Sequence, residues 1–100
     1  MKKSAHSEVV FEEFDDLWEA LEFSPAEVAN LRARSELMTQ IKAIIKREAW
    51  TQAEAARRCG VTQPRINELL RGRISRFSLD ALVKIATALG RKVRIEIEAA

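Results

Sequence analysis

Between Gln63 and Glu68 the chain places Gln63, Pro64, Arg65, Asn67 and Glu68 around an apolar Ile66, with Leu69 following. Gln, Arg and Asn carry paired donors and acceptors that match the edges of base pairs, and Glu can accept from an amino group there. Thr51, Gln52 and Thr62 stand at helix starts on one side of this stretch, and Arg71, Arg73 and Arg76 on the other. Helix N-termini and arginines are groups that hold phosphates. From Thr51 to Ser78 there are six arginines and two glutamates, a net charge of +4. These residues suit a polyanion whose edges are read, which points to duplex DNA. Catalysis has no comparable set. The single histidine, His6, and the single cysteine, Cys59, lie far apart in sequence, and no phosphate-cradling glycine loop or metal-spaced cluster is present. The expectation is no enzyme, no metal and no cofactor.

To present such a set, two short helices must cross steeply with small or apolar side chains at the crossing. Ala55, Ala56 and Cys59 on the first would face Ile66 and Leu69 on the second, with Gly60 as the left-handed turn residue and Val61 plugging the space beneath. Thr51 with Glu54 forms a capping box, and Trp50 before it is placed to staple onto Ala55. Thr62 caps the second helix, Gln63 to Leu70, whose first turn tolerates Pro64, and Gly72 ends it. Upstream, Ser24-Pro25-Ala26-Glu27 starts a helix. Its face of Val28, Leu31, Met38, Ile41 and Ile45, widened by Leu37 and Ile44, runs to about Glu48 with a candidate break at Arg34-Ser35. Downstream, Ser78 caps a helix from Leu79 to Leu89 with Gly90 at its end. The period then changes to two: Val93, Ile95 and Ile97 alternate with charges, as in a short amphipathic strand.

One hundred residues, 47% hydrophobic and 32% charged, fit one compact globular domain with a tail. No apolar run approaches the roughly 20 residues of a membrane span. The N-terminus lacks a signal-type apolar stretch, so a cytoplasmic location is expected. Cys59 cannot form an intrachain disulfide, and its inward position suits a small hydrophobe. The net charge of +2 is split unevenly. Residues 1–23 carry −5 and residues 24–100 carry +7.

Residues 51–72 resemble the helix-turn-helix of the phage repressor and Cro family, which includes the repressors of phages 434 and lambda. The Thr51-Gln52-Ala53-Glu54 start, the spacing from Ala56 to Gly60, and Ile66, Leu69 and Gly72 carry the likeness. More broadly, residues 24–98 resemble the XRE-type antitoxins of HigA-like toxin–antitoxin operons, through FSPAEVANLRARSELM before the motif and FSLDALVKIATALGRKVRIEIE after it. The resemblance implies an all-α, lambda-repressor-like bundle of four to five helices with a short C-terminal β-strand over residues 24–100. It also implies a homodimer on a palindromic operator, repressing its own operon, and sequestration of a ribonuclease toxin of RelE-like fold. By position, Gln63, Pro64, Arg65, Asn67 and Glu68 inherit base reading, and Gln52, Arg71 and Arg73 phosphate contact. Pro64 departs from the pattern, standing where the phage 434 repressor has a base-reading glutamine. The alternative is a stand-alone XRE-type regulator with no toxin partner.

Two segments stay open. Phe11, Phe14, Trp18 and Leu21 recur at helical spacing in the acidic segment 1–23, and either cover the domain core or wrap a basic partner protein such as an RNase. The Val93–Ile97 strand needs an edge to pair with: its dyad mate in a dimer, an N-terminal segment, or a partner's sheet.

Overall fold

The computed structural model describes residues 24–99, so the acidic segment 1–23 with Phe11, Phe14, Trp18 and Leu21 lies outside the described residues. The chain divides into two compact units, residues 1–33 and 34–100. The described residues hold four α-helices and one 3-10 turn: α1 (Pro25–Glu48), α2 (Gln52–Cys59), α3 (Gln63–Leu70), the turn Ile74–Arg76, and α4 (Leu79–Ala88).

In the first unit, Ser24 opens α1 with both halves of a capping box. The Glu27 amide donates to Ser24 Oγ at 3.1 Å, and the Ser24 amide donates to Glu27 Oε1 at 2.9 Å. The helix continues to Glu48 without the expected break at Arg34-Ser35, because neither residue removes a backbone donor or relaxes φ. Its end is irregular. Ala49 takes φ +57°, and the Trp50 amide closes back on the Ile45 carbonyl at 3.4 Å.

The second unit is built around one core. Met38, Ile41 and Ile45 of α1 join Ala55, Ala56, Cys59, Ile66, Leu69, Phe77, Leu82, Ile85 and Ala86 in a single buried cluster. The helix starts are fixed by side-chain caps: Thr51 accepts from the Glu54 amide, Thr62 from the Arg65 amide, and Ser78 from the Ala81 amide. Each cap is preceded by an apolar residue that packs on the core, Trp50, Val61 and Phe77 in turn. Each of these has an apolar partner four positions past its cap, Ala55, Ile66 and Leu82, the spacing of a hydrophobic staple. Helix starts are thereby tied to the core.

One expectation is corrected. Among the described residues there is no strand, and residues 91–99 carry no regular secondary structure. The alternation of Val93, Ile95 and Ile97 is a strand pattern, but a strand needs a hydrogen-bonded neighbour, and none of the described residues provides one. Ile95 and Ile97 are accordingly exposed, Ile97 almost completely at 98%.

Candidate nucleic-acid interface

Helices α2 and α3 are joined by Gly60 and Val61, with Thr62 as the cap. Gly60 sits at φ +72°, ψ +31°, the left-handed conformation that lets the chain leave α2 and turn at once into α3. Its amide and that of Val61 close the end of α2, Val61 donating to the Ala56 carbonyl at 3.0 Å. The crossing consists of the residues expected from the sequence: Ala55, Ala56 and Cys59 against Ile66 and Leu69, with Ala55, Ile66 and Leu69 at zero exposure.

With Ile66 and Leu69 inward, the remaining side chains of α3 divide into two sets. Gln63 and Pro64 are exposed and Asn67 is half-buried. Among the described residues, neither the Gln63 nor the Asn67 side-chain amide is engaged within the fold. Pro64 sits in the first helical turn, where its missing N–H costs no helical bond. Arg65 and Glu68 form the second set and are tied down. Arg65 Nη1 donates to the Arg76 carbonyl at 2.7 Å, and its guanidinium lies over the Phe77 ring at 4.1 Å from the centroid. Glu68 accepts from Arg76 Nη1 at 2.8 Å, and its other oxygen is 3.8 Å from Arg65 Nη1. The residues expected to hold phosphates, Thr51, Gln52, Thr62, Arg71, Arg73 and Arg76, are all exposed. Both threonine oxygens already accept a capping bond.

A second ionic group lies on α2. The Glu54 carboxylate accepts from Arg57 Nη2 at 2.5 Å and from Arg58 Nε at 2.6 Å. Those bonds, Arg57 first and Arg58 second, hold its pKa below the usual carboxylate range and raise that of Arg57. The capping box expected at Thr51 is therefore half made: the threonine caps, and the glutamate serves two arginines. Arg58 also stacks on Trp50 at 4.7 Å from the ring centroid. Burial pushes the Cys59 thiol pKa up, which suppresses thiolate reactivity.

Three residues near this surface were given no role in it from the sequence. Arg34 of α1 donates through Nη1 to the carbonyls of Ile74 and Phe77, each at 3.1 Å. Phe77 is 1% exposed and belongs to the core. Ile74 packs against the same core from the 3-10 turn. Phe77 had a signal, since an aromatic residue immediately before the Ser78 cap occupies the staple position. Arg34 had none, because a cation that bonds backbone carbonyls about forty residues away leaves no periodic trace.

Among the described residues no helix is long and apolar enough to cross a membrane, and no group of His, Cys, Asp and Glu is placed to hold a metal ion. Comparison with curated proteins gives no match. Among solved structures, a protein assigned to the XRE family of transcriptional regulators superposes with a TM-score of 0.68 at 28% identity. The match covers 74% of this chain and 83% of that one. The profile described as "Helix-turn-helix domain" matches residues 20–98. With the capped pair α2 and α3, the left-handed Gly60 and the match over that span, the chain belongs to the helix-turn-helix domain family.

Proposed function

We propose that this chain is a sequence-specific DNA-binding transcriptional repressor whose α3 enters the major groove. The observation that carries the reading is the division of α3: Ile66 and Leu69 are fully buried, while Gln63 and Pro64 stand exposed beside the unengaged amide of Asn67. Gln and Asn amides pair bidentately with adenine, and Pro64 can pack on a thymine methyl. Thr51, Gln52, Thr62, Arg71, Arg73 and Arg76 flank that face and take phosphates, so affinity falls with salt while base choice stays on α3. A helix-turn-helix domain is a binding module; the chain is not an enzyme. The structural neighbour's assignment as a transcriptional regulator supports the reading. A salt-titrated binding assay on the DNA upstream of the chain's own coding sequence tests it. Salt-sensitive binding with preference over a scrambled duplex is expected, and absence of binding even at low salt rejects it.

The same reading extends to assembly and partner. A two-fold operator needs a two-fold protein, and the Val93–Ile97 segment, with Ile95 and Ile97 exposed, is suited to pair with its dyad mate as a strand. In this reading the repressor is the cytoplasmic antitoxin of a toxin–antitoxin operon, its acidic segment 1–23 neutralising a basic, RelE-like RNase through Phe11, Phe14, Trp18 and Leu21. The charge of −5 on residues 1–23 supports that assignment, because carboxylates can occupy a surface built to attract RNA. Co-purification with the neighbouring gene product, with and without residues 1–23, separates it from a stand-alone regulator. An antitoxin captures the neighbouring toxin only as the full chain, whereas a stand-alone regulator captures nothing in either form.

A further inference from the structure

The turn Ile74–Arg76 carries more tethers than a surface connection needs. Its own bonds are short-range: Ile74 N–H to the Gly72 carbonyl at 2.8 Å, Arg76 N–H to Arg73 at 3.0 Å and Phe77 N–H to Ile74 at 3.2 Å. Three carbonyls at and just beyond the turn are then taken by guanidinium groups from two helices. Arg34 of α1 bonds those of Ile74 and Phe77, and Arg65 of α3 bonds that of Arg76. Glu68, one helical turn beyond Arg65, holds the Arg76 side chain as well. Two of the arginines expected to face phosphates, Arg73 and Arg76, sit just before and within this stretch.

We propose that Arg65 and Arg34 clamp the Ile74–Arg76 turn from two helices, so that Arg65 is a positioning residue for Arg73 and Arg76 and does not itself read a base. Glu68 acts with it, setting the Arg76 side chain. The inference rests on the DNA-binding reading above and narrows it, leaving base choice to Gln63, Pro64 and Asn67. Reading guanine takes two parallel N–H bonds from a guanidinium edge presented to the groove. The Arg65 guanidinium instead lies over a buried ring, its Cζ 4.1 Å from the centroid, with one terminal nitrogen bonded to a carbonyl. Moving it into a groove would strip the Phe77 face and leave the Arg76 carbonyl without its donor. Arginine suits the clamp because its planar fork can stack and bond at once, which a lysine ammonium cannot.

The test uses the full chain and two labelled duplexes, one enriched from a randomised pool by the wild-type protein and one scrambled. Arg65→Ala is expected to weaken both by the same factor, about tenfold, and to flatten the salt slope by about 1 to 2, as loss of one or two phosphate contacts requires. A pool re-enriched with the variant should keep the wild-type base preferences. The Arg65→Ala, Arg76→Ala double variant should lose less than the product of the two single losses, since both act through one contact. Amide hydrogen exchange in the free protein supplies an arm that needs no DNA: exchange at Arg76 and Phe77 should rise in Arg65→Ala while α2 stays protected. Arg65→Lys should restore charge without restoring that protection. Preference lost at one base pair per half-site with an unchanged salt slope would show that Arg65 reads a base, and unchanged exchange at residues 76 and 77 would remove the clamp. A wild-type chain that binds neither duplex rejects the DNA-binding reading instead, and the exchange arm still decides whether the turn is held.

Discussion

Replacing Gly60 by alanine tests the turn that makes the pair α2 and α3 possible. At φ +72° an L-residue pays the left-handed penalty, about 1–2 kcal/mol. A Cβ built there meets nothing within 4 Å, so no steric cost adds to it. Alanine also narrows the unfolded ensemble, which returns about 0.4–1 kcal/mol. The net destabilisation expected for Gly60→Ala is about 1 kcal/mol. For a domain of this size that lowers the Tm by roughly 4–8 °C. Urea unfolding followed by circular dichroism should show a lower midpoint with an unchanged m value, and Gly60→Asn should lose less, because asparagine tolerates this region better. Duplex affinity per folded molecule should stay near wild type, since the turn keeps its shape. A loss of about 3 kcal/mol or more, the range of a core cavity or a clash, would refute the reasoning, and so would no loss at all.

The remaining predictions concern the same unit. Ala49 holds φ +57° without a glycine, so Ala49→Gly should raise stability by up to about 1 kcal/mol, read from the same urea midpoints. Thr62→Ala removes the cap that accepts from the Arg65 amide and should cost about 1 kcal/mol of unfolding free energy. Arg73→Ala should weaken binding to all duplexes alike and reduce the salt slope by about 1, measured by anisotropy over a salt series. Burial raises the Cys59 pKa in the folded state above its unfolded value. The resulting contribution to stability is complete below the unfolded thiol pKa, near 8.5, and is lost as pH rises through the folded value. Alkylation by iodoacetamide at neutral pH should therefore be slow in the native chain and fast in urea.

Much of this architecture is written locally, and those parts were legible. Ser24, Thr51, Thr62 and Ser78 are short polar residues directly before helical periodicity, and all four cap. Gly60 at the end of an alanine-rich turn reads as left-handed, and Ala55, Ala56, Cys59, Ile66 and Leu69 recur at spacings that put them on one side. What escaped is tertiary. The exposed appearance of Arg65 and Glu68 on a helical wheel ignores the turn after Gly72, which folds back onto that flank and engages both. Arg34 is invisible for the same reason. The strand pattern at Val93–Ile97 records a preference for extended backbone, but pairing is a property of a neighbour, which alternation alone cannot supply.

The split of α3 has a consequence for change over generations. Ile66 and Leu69 secure the helix to the protein, whereas the side chains of Gln63 and Asn67 make no internal hydrogen bond among the described residues. Substitutions at those two outer positions leave folding nearly untouched, so mutation can explore new targets without passing through misfolded ancestors. A handful of codons suffices for retargeting, and the scaffold need not be reinvented.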